Sequence, residues 1–154
     1  MKLTIAFLIA VTLVAGCEVS FNSGTADKGT VEAGTAEEQT AVAKAANAFL
    51  KRLDAGKADE TWSTASPLLS RSTNQVVWSV GIRTFRGSVG SFKSRGLKGI
   101  GFTHTVDGVP PGDYAGVGFD TTFSNSTVEE KVVLHKDQGE WKVMGYFLTK
   151  SFAK

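Results

Sequence analysis

The order of periodicities along this chain predicts an α+β fold, with three N-terminal helices packed on a curled four-stranded antiparallel sheet. Two observations predict it. Apolar residues recur at helical spacing up to Gly87, and from Lys98 onward they alternate with polar ones. The alternating runs are joined by short polar links, which suit antiparallel neighbours and not parallel crossovers.

The first helix is announced by Thr35 and Glu38, which have capping-box spacing. Val42, Ala45, Ala46, Phe49, Leu50 and Leu53 then fall on one helical face. Lys51 and Arg52 occupy the last turn, where cations complement the macrodipole, and Gly56 can close the helix. A short second helix is predicted over Ala58–Ala65, with Trp62 packing inward and Pro67 near its end. Ser72 and Gln75 repeat the capping-box spacing and open a third helix through Val77, Val80 and Phe85, ending by Gly87.

The first strand is predicted over Lys98–Val106, with Ile100, Phe102, His104 and Val106 on one face. Ala115, Val117, Phe119, Thr121 and Phe123 repeat the alternation in the second. Val128–Lys136 and Glu140–Thr149 supply the third and fourth. The links are Asp107–Asp113, Ser124–Ser126 and Asp137-Gln138-Gly139, where Gly139 suits a left-handed hairpin position. Asn125-Ser126-Thr127 has the form of a glycosylation triplet and reads as a turn. In the last strand Met144, Tyr146 and Leu148 form a second apolar parity, compatible with a homodimer or with a sheet covered on both sides.

The first residues have a different character. Lys2 is followed by an apolar run from Leu3 to Val14, then Ala15, Gly16 and the chain's single cysteine, Cys17. Such a run is shorter than the roughly 20 residues that span a bilayer. It resembles a bacterial lipoprotein signal with its lipobox. That resemblance implies cleavage of residues 1–16 and lipidation of Cys17, with the membrane as partner through the acyl chains. Two or three chains anchor a protein stably at about 0.8 kcal/mol per buried methylene. Glu18, where an aspartate would favour inner-membrane retention, points to a cell-envelope protein on the outer membrane facing the periplasm. Residues 17–35 are rich in Ser, Gly, Thr and Ala and read as a flexible tether. Residues 36–152 then form a single domain.

Without residues 1–16 the chain has 16 basic and 15 acidic residues. That balance gives no electrostatic case for nucleic acid. With no cysteine beyond Cys17 there is no disulfide framework, and His104 and His135 alone have no zinc-site spacing. No cofactor is implied, and the glycines of Arg95–Gly101 do not make a phosphate loop.

The helices followed by a curled sheet look like the cystatin-like or nuclear-transport-factor-2-like cone. Four ordered segments narrow the resemblance: Phe49-Leu50-x-x-Leu53-Asp54-x-Gly56 with Trp62 downstream; Arg86-Gly87 followed by Arg95; Gly112-Asp113-Tyr114 leading to Thr121-x-Phe123; and Glu130 through Leu134 to Gly139-x-Trp141-Lys142-Val143-x-Gly145-Tyr146. Together they resemble the bacterial domain of unknown function 4019 over roughly residues 38–150. The glycines of Phe85–Gly90 depart from that pattern at the exit from the third helix. The resemblance implies an envelope protein and carries over no catalytic residues.

The candidate ligand-binding residues are His104 and Glu130, both on inward parities. A histidine there is an acid, base or ligand anchor, or else a hydrogen-bonded core residue. Glu130 on this parity would pair with an arginine. Arg83, Arg86 and Arg95 cluster at the helix-to-sheet transition, where they would bind an anion, cap carbonyls or pair with acids. Asp120 and His135 fall on outward parities. The reading that follows is a membrane-tethered, non-catalytic module binding a small molecule, a peptide or another envelope protein. The alternative is a cone-pocket enzyme of isomerase or hydrolase type using His104 and Glu130.

Overall fold

The computed structural model describes residues 30–150. The predicted leader, Cys17 and the tether as far as residue 29 lie outside the described residues. Helix α1 covers Ala36–Asp54 and is fixed at its start by the capping box. The Thr35 hydroxyl accepts from the Glu38 N–H at 3.2 Å, and the Glu38 carboxylate accepts from the Thr35 N–H at 2.9 Å. Val42, Ala46, Phe49, Leu50 and Leu53 form its buried face.

The second helical segment is a 3₁₀-helix, Ala58–Thr64, and it is Thr61 that lies fully buried there, with Trp62 half-buried. The hydroxyls of Thr61, Ser63 and Thr64 bond the carbonyls three residues behind, which competes with α-helical pairing. Pro67, expected near the end of this segment, instead occupies the first turn of a separate helix, α2 (Pro67–Ser72), with Ser66 as its N-cap. Helix α3 is Gln75–Val89. Its cap is Asn74, whose side chain accepts from the Val77 N–H at 3.1 Å. Ser72, the expected cap, turns its hydroxyl back to the Leu69 carbonyl at 2.9 Å. The helix passes Gly87 and stops at Gly90, where φ reaches +88°. The side facing the core carries Ile82 and Val89, and the Trp78 indole N–H donates to the Thr61 hydroxyl at 3.0 Å.

Four strands follow: β1 (Phe92–Thr103), β2 (Tyr114–Phe123), β3 (Thr127–Asp137) and β4 (Glu140–Lys150). They form one antiparallel sheet in the order β1-β2-β3-β4. Strand β1 begins six residues before the predicted Lys98 and ends before His104. The Thr103 hydroxyl takes the Thr105 N–H at 3.3 Å and donates to the Thr105 carbonyl at 3.1 Å, and this local turn breaks the alternation. The β3–β4 hairpin turns on Gln138 and Gly139, both with positive φ. Irregularities between Leu97 and Gly99 and opposite Val133/Leu134 interrupt the register. The second shifts the parity of β4. Val143 and Tyr146 are buried and Leu148 packs against the core, so of the second apolar parity Tyr146 and Leu148 face the helices.

Helix α1 packs across the sheet, placing Val42, Ala46, Phe49 and Leu50 against Val117, Phe119, Val132, Leu134 and Tyr146. A smaller cluster of Val89, Phe123 and Val128 closes the other end through Leu148. Upstream of α1, Glu32 is paired with Phe102 by N–H···O bonds of 2.8 and 2.9 Å. The last residues of the predicted tether are therefore joined to the edge of β1. Among the described residues no helix is long and apolar enough to cross a membrane.

Candidate functional site

The densest polar cluster gathers where the end of α1 and the last turn of α3 meet the sheet. Its centre is Glu130 on β3. Strand parity turns it inward beside Val132, and its exposure is 0%. One carboxylate oxygen accepts from Arg86 Nη1 at 2.8 Å and from the Tyr146 hydroxyl at 2.6 Å. The other accepts from Arg95 Nε at 2.7 Å and from the Thr121 hydroxyl at 2.5 Å. Both arginines also reach Asp54, the last residue of α1. Arg95 does so in bidentate geometry at 2.9 and 3.1 Å, and Arg86 through Nη2. The guanidinium planes lie over rings, Arg86 over Phe123 at 4.7 Å and Arg95 over Phe92 at 4.6 Å.

Two carboxylates and two guanidiniums balance in charge. Burial raises the cost of ionising Asp54, but hydrogen bonds and charge from Arg95 and Arg86 outweigh it and hold the carboxyl below its ordinary range. Burial likewise opposes charge on Arg86 and Arg95. Tyr146, Asp54 and Glu130 more than restore it for Arg86, as Asp54 and Glu130 do for Arg95, and both stay above the ordinary arginine range. Tyr146 is pushed well above a usual phenol, by burial first and then by the Glu130 carboxylate. The acceptors of Glu130 and most of the guanidinium donors are thus spent on one another. The cluster works as a clasp joining α1, α3 and all four strands.

Of the residues singled out in the sequence, Glu130 and Arg86 and Arg95 are brought together. His104 is not among them. It stands beyond the end of β1, its side chain 72% exposed, with Nδ1 2.9 Å from Asp113. The strand parity that placed it beside Phe102 fails because β1 has already ended at Thr103. The expected pair of His104 with Glu130 is therefore not assembled. His135 lies half-buried, not exposed; its Nδ1 is 3.0 Å from the Ser66 hydroxyl and its ring stacks on Tyr114 at 5.2 Å. Ser66 completes the N-cap of α2, which is what draws the histidine in. Asp120 is exposed as expected, and Arg83 pairs with Asp59 at the surface. Cys17 lies outside the described residues.

Sequence reasoning passed over Asp54, Thr121 and Tyr146 as members of this cluster. Asp54 carried a signal. A carboxylate in the last turn of a helix opposes the macrodipole, and it persists only where cations answer it. Among the described residues, no three His, Cys, Asp or Glu side chains lie close enough to hold a metal ion.

A second surface stands out by exposure. Val76, Val77, Val80 and Phe85 on α3 are each more than half exposed, while the opposite side of the helix carries the core contacts.

Residues 45–146 match the family described as Protein of unknown function (DUF4019). No curated protein and no solved structure matches the chain.

Proposed function

This chain belongs to the DUF4019 family of proteins of unknown function, and we propose that it is a lipid-anchored envelope protein whose domain is a non-catalytic binding module. The observation that carries the binding reading is the outward side of α3, which exposes Val76, Val77, Val80 and, on its flank, Phe85 where a surface helix normally shows polar residues. The interior supports it from the other side. Glu130, Arg86 and Arg95 hold each other in a closed arrangement, and His104 stands apart from them. The domain is a scaffold that presents a surface. We assign the fold to the cystatin-like or nuclear-transport-factor-2-like cone. Helices on one face and register shifts in β1 and β4, which bend strands, support that assignment.

The anchor rests on the apolar run, the small residues and Cys17. Glu18 after the cysteine supports an outer-membrane location with the domain facing the periplasm. Intact-mass analysis of gently extracted protein tests both halves of the proposal. The expected species is residues 17–154 plus acyl chains, carrying a component that is lost on denaturation or on Val80→Asp. Cys17→Ser should leave the protein in the soluble fraction or as an unprocessed precursor. A Cys17→Ser protein that is processed and pelleted like wild type removes the anchor, and a bound component indifferent to Val80→Asp removes the α3 face.

A further inference from the structure

We propose that the outward face of α3 rests on a membrane surface carrying anionic phospholipid headgroups, so that the domain lies against the bilayer that holds its anchor. This rests on the reading of Cys17 as the anchor. The face itself is built from Val76, Val77 and Val80, exposed by 70, 59 and 53%, with Phe85 at 56% near the far end of the helix. Along this stretch the one exposed charged side chain of the helix is Arg83, at the edge of the valines and paired with Asp59. Gly81 and Gly87 open onto free space, and Thr84 and Ser88 complete the surface. Fifteen residues give a helix about 22 Å long, enough to lie in the plane of an interface.

Charge selects the occupant. From Thr61 to Val106 the chain contains no Asp or Glu, yet it carries Arg71, Arg83, Arg86, Lys93, Arg95 and Lys98. Arg86 and Arg95 are consumed in the clasp, while Arg83 and Lys98 meet Asp59 and Glu129. Arg71, at the end of α2, and Lys93, near the start of β1, are exposed and bracket α3 in the chain. An apolar strip with exposed cations just before and just after it in the chain, and no acid from Thr61 to Val106, fits lipid headgroups and acyl chains. It fits a second copy poorly. The cations would face their equals across a two-fold, and four side chains offer a few hundred Å² against the about 800 Å² per partner of a stable interface. A lipid surface needs less, because the anchor already keeps the domain at high local concentration. The reach suffices as well: the thirteen links from Cys17 to Thr30 span at most about 45 Å.

The test uses the full chain, purified from membranes and reconstituted into vesicles of phosphatidylglycerol and phosphatidylcholine. A nitroxide is placed on Val80→Cys, and on Asp120→Cys as a control on the far face of the sheet. The expected result is that the label at position 80 meets oxygen more readily than a water-soluble nickel chelate. The label at 120 should show the reverse. Raising the salt, omitting phosphatidylglycerol, or combining Arg71→Glu with Lys93→Glu should return position 80 to water. Both labels equally open to the chelate would overturn the proposal. So would immersion at position 80 that is indifferent to phosphatidylglycerol. Dipolar broadening between labels at position 80, with both reagents excluded, would overturn it in favour of a second copy. Intact mass of the same preparation reads the anchor separately. A chain without acyl groups ends the anchor reading, while the label still reports whether the face enters lipid.

Discussion

Glu130→Gln removes the charge that Arg86 and Arg95 share and turns one acceptor into a donor facing donors. Breaking one side of a buried ion network costs about 3–5 kcal/mol, so the melting temperature should fall by on the order of 10 °C in thermal denaturation. Replacing Arg95 with Met in the same chain should recover part of that loss, since it relieves the stranded cation. Asp54 governs the acid limb. Its carboxyl lies below the usual range when folded and near 3.9 when unfolded, so its contribution is complete above about pH 4 and drains away as the pH falls through the folded value. Denaturant unfolding from neutral to acidic pH should therefore show a slope that Asp54→Asn flattens. The residue-level legibility of this site was uneven for a physical reason. The inward turn of Glu130 follows from its alternation with Val132 and Leu134. Which cations would answer it depends on how the last turn of α3 falls against β1, and no local pattern encodes that.

Among elements, those with their own local chemistry were readable. The Thr35–Glu38 box stands in the structure as the spacing predicts. Thr35→Ala should lower stability by about 1 kcal/mol, seen as a shifted denaturant midpoint with unchanged slope. The exit of α3 was harder. Gly87 looked like a stop, but its φ is unexceptional and the helix continues to Gly90, where φ is +88° and an added Cβ would collide with the Ser124 hydroxyl and the Asn125 amide. Gly90→Ala should accordingly cost well over 1 kcal/mol, while Gly87→Ala, with open space around it, should be neutral or stabilising. The strands show the same division. Alternation located β2 and β3 to within a residue. A hydroxyl turn at Thr103 and a register shift opposite Val133/Leu134 reversed what alternation implied for His104 and for the last strand. Both are single-residue events that leave no periodic trace. The helix α3 was traced by Val77, Val80 and Phe85, yet these are its exposed residues, because Trp78, Ile82 and Val89 occupy the side that the core accepts.

For the whole molecule, the α+β order, the four antiparallel strands and the placement of helices before the sheet were legible, because each rests on a change of period and on short links. The way the layers are locked together was not. The sheet and helices are joined by hydrophobic burial under α1 and by the ionic clasp at one end, and the second is assembled from six elements far apart in sequence. One more join acts on the molecule as a body. The chain leading from Cys17 enters the domain at Glu32, which is held to Phe102 by a reciprocal pair of backbone bonds before α1 begins. A pull on the chain ahead of Glu32 would be borne first by that pair at the rim of the sheet. Two backbone bonds are few beside the core under α1, so the pair would yield before the load reached that core, as a mechanical fuse at the entry to the fold.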